Sequence, residues 1–156
     1  LELRELPRWI RHSNKVPITN QGDSASSTNP LTWSDYQTAS QSTAGDGLGF
    51  VLNGDGLICI DLDHCFDGEP SAEAQALIDL LPPTYIEVSP SGTGLHLWGY
   101  AALDKGRRFD RNGLSVEVYP NGRYLTVTGN ALWLTVCAKF QTFTFFNTPD
   151  LATNNP

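Results

Sequence analysis

The chain has 156 residues, of which 40% are hydrophobic, and its formal net charge is −7. This length is enough for one hydrophobic core and predicts one domain, residues 1–150, followed by a tail or linker, residues 151–156. No apolar run approaches the roughly 18 residues of a membrane-spanning helix, so none is predicted. The sequence contains no methionine, which indicates a part of a longer protein.

The first half of the chain predicts a polar loop, a short helix and a β-hairpin. Residues 20–30 are rich in turn-forming residues. A helix is expected to begin at Thr32, whose hydroxyl can cap free backbone amides. The apolar runs 47–52 and 57–63 flank the sequence "NGDG", which favours a tight turn between antiparallel strands. The predicted pair ends at two aspartates, Asp61 and Asp63.

The second half predicts a helix followed by four strands. The sequence "SAEAQALIDLL" is expected to form a helix that is capped by Ser71 and stopped by Pro82 and Pro83. Its apolar face is predicted to lie against a sheet, and consists of Ala74, Leu77, Ile78 and Leu81. The strands are "TYIEV", "LHLWGY", "LSVEVY" and "RYLTVTG", the last two joined as a hairpin by "PNG". These elements predict an α+β fold with a mostly antiparallel sheet and flanking helices.

The cysteines indicate a reducing environment. Cys59, Cys65 and Cys137 form no CxxC pair, and one of them stays unpaired in any disulfide scheme. A cytoplasmic location is therefore expected. Cys59 lies within an apolar run and is predicted to be a small buried residue of the core.

The basic residues are clustered although the chain is acidic. Eight of the ten lie in two short segments, which contain Arg4, Arg8, Arg11 and Lys15 in one case and Lys105, Arg107, Arg108 and Arg111 in the other. Clustered cations create a local positive field even on an acidic protein. Contact with nucleic acid and two solvated loops are both compatible with this pattern.

The paired aspartates are the strongest chemical signal. Asp61 and Asp63 are two residues apart, so in a strand they project from the same face. Two like charges at this distance raise each other's pKa unless a proton or a cation lies between them. Aspartates also begin loops by bonding to nearby amides, but Asp61 precedes the end of the apolar run. A metal site is therefore the favoured interpretation.

Two further features can complete such a site. Glu117 is the lone acidic residue of the strand "LSVEVY", on the face of Ser115 and Tyr119, and it either points to solvent or joins the aspartates. Three converging carboxylates favour two Mg²⁺ or Mn²⁺ ions and phosphoryl or nucleotidyl transfer. The loop "SPSGTG", which precedes His96, offers backbone amides to phosphate oxygens.

These motifs resemble the primase-polymerases of phages and plasmids, within the archaeo-eukaryotic primase superfamily. That family has an acidic DxD or DxE motif on a strand, a histidine motif on a following strand and a later acidic residue. The segments "CIDLDHC", "SGTGLHLW" and "VEVY" are similar to these motifs and follow in the same order. The flanking sequences "KVP", "ASSTNPLTW", "GLGFVL" and "GRYLTVTG" extend the similarity over residues 8 to 130.

The resemblance implies a fold, an activity and a set of site residues. The catalytic sheet would resemble an RNA-recognition motif, and the domain would be a DNA primase/polymerase in phage or plasmid replication. Asp61, Asp63 and Glu117 would hold two divalent ions, Mg²⁺ or Mn²⁺, and His96 would contact the triphosphate of an incoming dNTP or NTP. The other implied nucleotide-binding residues are Ser91, Gly94, Arg123 and Lys15.

The resemblance also gives the basic residues a role. Arg107, Arg108 and Arg111 become candidates for contact with a single-stranded or primed DNA template. Trp98 and Tyr100 are expected in the core, with base stacking as the alternative. A downstream helicase or primer-template-binding region is expected in the full-length protein.

One position departs from the family pattern. The usual motif is Ser-x-His, whereas this chain has glycine at position 94. A hydroxyl contact to the nucleotide must therefore come from Ser91 or Thr93, or be absent.

Two other functions remain open. A metal-dependent nuclease would use the same carboxylates with water as the nucleophile, and a non-catalytic replication module would bind nucleic acid without a need for metal. A glycosidase is disfavoured because Asp61 and Asp63 lie on one strand and cannot flank a substrate from opposite sides.

Overall fold

The computed structural model of the chain describes residues 2–133 and 138–139. The strands in these residues are β1 (Trp9–Ser13), β2 (Val16–Ile18), β3 (Gly47–Asn53), β4 (Leu57–Leu62), β5 (Tyr85–Val88), β6 (Leu95–Tyr100), β7 (Arg107–Arg111), β8 (Leu114–Tyr119), β9 (Asn121–Val127), β10 (Ala131–Trp133) and β11 (Ala138–Lys139). The α-helices are α1 (Tyr36–Gln41) and α2 (Ala72–Ile78), and 3-10 helices lie at Glu2–Glu5 and Pro30–Thr32. No helix in this part of the chain has the length and apolar composition of a membrane span.

The strands form two sheets, so the predicted sheet-rich α+β fold is confirmed. The first sheet has the order β2-β1-β3-β9, and the second has the order β10-β5-β6-β4-β8-β7. Every pairing is antiparallel except that of β11, which runs parallel to β6. β4 therefore lies in the interior of the second sheet, between β6 and β8.

The second sheet is covered on both faces. On one face Ile58 and Ile60 of β4 pack in a cluster with Leu77 of α2. On the other face Cys59 and Trp98 pack in a second cluster with residues of the first sheet. This burial confirms Cys59 as a core residue, whereas Cys137 lies outside the described residues.

Helix α2 agrees with the sequence prediction except at its end. The Ser71 hydroxyl accepts a hydrogen bond from the Ala74 amide at 3.2 Å, as expected of the cap. The predicted apolar face is buried or partly buried against the second sheet. The helix ends at Ile78, four residues before Pro82, so proline does not terminate it directly. The amides of Leu80 and Leu81 instead bond to carbonyls three residues back, which forms a tighter turn.

Helix α1 begins later than predicted. The carboxylate of Asp35 accepts hydrogen bonds from the amide and the hydroxyl of Thr38, at 2.8 and 2.9 Å, and caps the helix. Thr32 ends a separate 3-10 helix, and its hydroxyl donates to the Asn29 carbonyl. The prediction that Thr32 caps the helix was therefore wrong, because Asp35, a charged acceptor three residues closer to the helix, takes that place.

The first predicted hairpin, between residues 47–52 and 57–63, was wrong. β3 pairs with β1 and β9, and β4 pairs with β6 and β8, so neither strand has an edge left for the other. The link between them carries the chain from one sheet to the other. Arg8 fastens this link, because its guanidinium bonds to the side chains of Asn53 and Asp55.

The second predicted hairpin, across "PNG", was also wrong. β9 leaves β8 and pairs with β3 of the first sheet. This crossing lies directly beside the other one, since the amide of Gly54 donates to the carbonyl of Pro120 at 3.1 Å. The two turn sequences therefore form the junction between the two sheets.

The two tightest hairpins occur elsewhere. Asn14 and Lys15 join β1 to β2, and Asn112 and Gly113 join β7 to β8. All four residues have positive φ, between 47° and 84°, as two-residue type I′ turns require. The basic segment 107–111, predicted as a loop, is therefore the strand β7.

Candidate active site

A row of polar side chains crosses the second sheet at one level. Glu87, His96, Asp61, Glu117 and Arg108 lie opposite one another on β5, β6, β4, β8 and β7, in that order. Directly paired residues on antiparallel strands share a face, with Cβ atoms roughly 5 Å apart. Strand register thus brings together five residues that are spread over positions 61 to 117 of the sequence.

The row borders the core between the two sheets. Cys59, two residues before Asp61 on β4, pairs with Trp98, two residues after His96 on β6, and both are fully buried. The Trp98 ring packs edge-on against Phe50 of the first sheet, with 5.9 Å between the ring centroids. Trp98 is therefore a core residue, as expected. In the other direction Asp63 is exposed. The polar row marks the level at which the apolar packing between the sheets ends.

Asp61 occupies the centre of the row. Its side chain is 22% exposed, and its Oδ1 lies 3.6 Å from Nε2 of His96. Burial raises the pKa of Asp61, and the negative charges of Asp63 and Glu117 add to the effect, while His96 and Lys15 oppose it. Both predicted acidic partners therefore lie close enough to act on Asp61. A cation at this point would relieve the cost of ionising it.

Glu117 lies beside Asp61, as the metal-site hypothesis requires. Its side chain is 15% exposed, and its Oε1 is 3.1 Å from Nη1 of Arg108, which is 74% exposed. The hydroxyl of Tyr119 donates to Oε2. The burial pattern of β8 alternates, with Ser115, Glu117 and Tyr119 on the more open face, as predicted.

The carboxylates fit a hard divalent ion in their chemistry. Asp61, Asp63 and Glu117 offer oxygen ligands of the kind that Mg²⁺ and Mn²⁺ prefer. Within the described residues, no three histidine, cysteine or acidic side chains are already gathered into a metal-ligand set. Glu117 is turned to Arg108, so a metal would compete with an exposed arginine for this carboxylate.

The glycine loop before β6 carries a chain of hydroxyl groups. The Ser91 hydroxyl is hydrogen-bonded to the hydroxyls of Ser89 and Thr93, each with an oxygen–oxygen distance of 3.0 Å. Gly92 has a φ of 75° and makes the turn. A Cβ at Gly94 would lie 2.5 Å from the Leu62 carbonyl oxygen, too close for any side chain. The departure from Ser-x-His therefore has a steric reason, and hydroxyls are available from the preceding residues.

Lys15 and Arg123 approach the row from the first sheet. Lys15 lies in the β1–β2 turn, near enough to Asp61 to lower its pKa. The hydroxyl of Tyr124 donates to the Lys15 carbonyl and holds this turn in place. The guanidinium of Arg123 stacks on the ring of Tyr119, 4.1 Å from its centroid. Both residues are thus brought to the neighbourhood of the carboxylates.

The second basic cluster is divided between two faces. Arg108 shares the face of Glu117. Arg107 and Arg111 pair with Val118 and Leu114, whose side chains belong to the core under α2, so these two arginines lie on the opposite face. One arginine of the three therefore lies next to the carboxylates.

The first basic cluster is used largely for packing. Arg8 is buried and pairs with Asp55 at 2.8 Å. Arg4 lies over the ring of Tyr36, and Arg11 donates through Nε to the Ala44 carbonyl. Lys15 is the member of this cluster that reaches the polar row.

Glu87 was not identified from the sequence. It is fully buried, and its Oε1 lies 3.3 Å from Nδ1 of His96. The signal was present, because Glu87 is the lone charged residue of the apolar strand "TYIEV", as Glu117 is of "LSVEVY". The histidine thus has a carboxylate on each side, Glu87 and Asp61.

Carboxylates on neighbouring strands, a histidine and a glycine loop with hydroxyls favour a domain that handles nucleotide phosphates. A family model for the N-terminal domain of bifunctional DNA primase/polymerases matches residues 4–135. The chain belongs to this family.

A phage protein gives the same assignment. The DNA primase-polymerase of Nitratiruptor phage NrS-1 is 37% identical over an alignment of 142 residues, which covers 81% of this chain and 20% of that protein. The chain therefore spans about a fifth of the length of the relative it matches.

Proposed function

We propose that this domain catalyses template-directed nucleotidyl transfer from dNTPs or NTPs during phage or plasmid replication. The observation that carries the proposal is the cross-strand row, in which His96, Asp61 and Glu117, one residue from each of the three family motifs, lie side by side. Family membership and the similarity to a phage DNA primase-polymerase support it. The interior position of β4 accords with a catalytic core like an RNA-recognition motif.

Asp61, Asp63 and Glu117 would hold two divalent ions, Mg²⁺ or Mn²⁺. Bound there, such ions activate a 3′-hydroxyl for attack on the α-phosphate and neutralise charge on the departing pyrophosphate. Glu117 would exchange Arg108 for a metal ion. This exchange costs little, since an ion pair with an exposed arginine contributes little to stability.

The remaining side chains of the site would bind the incoming nucleotide. His96 would donate through Nε2 to a phosphate oxygen. Ser91 and the backbone around Gly94 would offer hydroxyl and amide donors to the same triphosphate. Lys15 and Arg123, which approach from the first sheet, would neutralise its charge.

Nucleic acid would approach from the side of Arg108. Arg108 shares the face of the carboxylates and is largely exposed. Arg107 and Arg111 lie on the other face and would act only on a strand that wraps around the edge of the sheet. Downstream parts of a longer protein, such as a helicase or a primer-template-binding region, would complete template binding in the host cytoplasm.

The direct test is incorporation of labelled dNTPs and NTPs on primed and unprimed single-stranded DNA with Mg²⁺ or Mn²⁺. We expect extension by the wild-type chain and a loss of at least about a hundredfold in the Asp61→Ala/Asp63→Ala variant, because charge stabilisation of the transition state is removed. Metal-dependent dNTP binding that the variant loses would indicate a catalytic core that needs the rest of the protein.

Other outcomes would contradict the proposal. Strand cleavage without nucleoside triphosphate would indicate a nuclease. DNA binding that ignores both metal and nucleotide would indicate a non-catalytic replication module.

A further inference from the structure

Glu87 is the most completely bonded charged side chain of the polar row. Its Oε2 accepts hydrogen bonds from the Tyr85 hydroxyl at 2.9 Å and from the amides of Thr128 and Gly129 at 3.2 and 3.0 Å. Its Oε1 lies 3.3 Å from Nδ1 of His96. A buried carboxylate surrounded by four donor groups is fixed in position.

This arrangement assigns the hydrogen on the ring of His96. A carboxylate can only accept hydrogen bonds, so the nitrogen that faces Oε1 of Glu87 must donate. That nitrogen is Nδ1, which leaves Nε2 on the side of Asp61, where the Oδ1 oxygen is 3.6 Å away. This distance is longer than a hydrogen bond. Nε2 is therefore the ring atom turned toward Asp61.

We propose that Glu87 is a positioning residue that holds the ring of His96 by accepting a hydrogen bond from Nδ1, so that Nε2 faces the triphosphate of the incoming nucleotide. The inference rests on the proposed function for its consequence, but the assignment of the ring hydrogen does not. A ring that donates to Glu87 from Nδ1 and to a phosphate oxygen from Nε2 carries a hydrogen on both nitrogens and lies between two anions. Both hydrogen bonds are then charge-assisted.

Glu87→Gln changes this arrangement in a defined way. Two backbone amides face the Oε2 position, so the glutamine oxygen takes that place and its NH₂ group faces His96. That group donates, so Nδ1 must accept and the ring hydrogen moves to Nε2. Long-range ¹H–¹⁵N NMR of the His96 ring distinguishes the two forms.

The same substitution should weaken the binding of dNTP. Glu87→Gln should raise the KM for dNTP about tenfold, with a smaller change in kcat, because a ring that carries a hydrogen on Nε2 alone is neutral and its bond to the phosphate loses the charge of the donor. If extension is slow, the Kd of dNTP from calorimetry replaces KM. Tyr85→Phe is the matched control, because it removes one donor from Oε2 and leaves the contact between Oε1 and His96. It should leave the hydrogen of the His96 ring on the same nitrogen as in the wild type. It should change KM by no more than about twofold.

A double-mutant cycle separates positioning from a general effect on the fold. In a His96→Gln background, Glu87→Gln should add less than about twofold to KM, since the residue through which it acts is gone. An added tenfold rise would overturn the proposal. So would a wild-type ring with a hydrogen on Nε2 alone, or a Glu87→Gln ring that keeps a hydrogen on Nδ1. If the wild-type chain binds no nucleotide, the proposed function fails, and the NMR result still decides the role of Glu87.

Discussion

The two ends of the polar row carry the same residue type in different surroundings. Glu87 and Glu117 are each the lone charged residue of an apolar strand. Glu87 is fully buried, and the segment after β9 closes over it with two backbone amides. Glu117 is 15% exposed, and its donors are the Tyr119 hydroxyl and an arginine that is 74% exposed. The number of fixed donors around each carboxylate therefore separates a residue that positions its neighbour from one that remains available to a cation.

The largest effect on stability is expected at Glu87, the buried end of the row. Glu87→Ala should lower the free energy of unfolding by about 3 kcal/mol or more, because buried donors from Tyr85, His96, Thr128 and Gly129 lose their acceptor. Urea denaturation followed by tryptophan fluorescence measures this loss.

The matched change at the open end is Glu117→Ala. It should alter the free energy of unfolding by no more than about 1 kcal/mol, since an ion pair with an exposed arginine is weak and the charge of Glu117 disfavours ionised Asp61. Equal losses at the two positions would show that the two carboxylates do not differ as their surroundings indicate.

The candidate residues of the site could be selected from the local sequence around each of them. Asp61, Asp63, Glu117 and His96 were singled out from the sequence because charged or titratable groups interrupt apolar runs. Their convergence depends on β6 and β8 flanking β4, which is a property of strand order and cannot be read from local periodicity. Glu87 was missed for the same reason, because its importance comes from its partner on the neighbouring strand.

Strand pairing was the part of the fold that local signals predicted worst. The sequences "NGDG" and "PNG" do have the positive φ that turns require, at Gly54, Gly56 and Gly122, although Gly122 already lies within β9. A turn fixes the reversal of the chain, but pairing depends on which strand edges are free. β3 and β4 are apolar on both faces and have two neighbours each, so their connection passes between the sheets. The hairpin at Asn112 and Gly113 carries the same type of signal and was assigned to a loop because its first strand is basic.

An intermediate effect is expected at the centre of the row. Burial raises the pKa of Asp61 above the ordinary value of 3.8. The folded chain thus keeps this proton to a higher pH than the unfolded chain, and stability falls as the pH rises from the ordinary to the raised pKa. In metal-free buffer, Asp61→Asn should therefore be more stable than the wild type at pH 7, by about 1 kcal/mol.

The pH dependence and metal dependence make this prediction specific. The difference between Asp61→Asn and the wild type should shrink at pH values below the ordinary pKa, where Asp61 is protonated in both states. Mn²⁺ should raise the melting temperature of the wild type and not that of the variant. A variant that is less stable than the wild type at pH 7 without metal would mean that Asp61 is held by favourable contacts and has no need of a cation.

The smallest effect concerns the exposed arginine at the open end. Arg108→Ala should change stability by less than about 0.5 kcal/mol, because the pair with Glu117 is exposed on the arginine side. If Arg108 contacts one phosphate of a single-stranded template, the slope of log K against log salt should fall by about 0.7 in the variant. Fluorescence anisotropy of a labelled oligonucleotide at several salt concentrations measures this slope.

Arg111→Ala is the control for Arg108 on the same strand. Arg111 pairs with Leu114, on the face that packs under α2, and Arg108 pairs with Glu117 on the face of the carboxylates. The two substitutions remove the same charge from one strand, so a long-range field would respond equally to both. A change in slope confined to Arg108→Ala would place the template beside Glu117. A larger change in Arg111→Ala would place it on the opposite face, away from the carboxylates that are proposed to act on its primer.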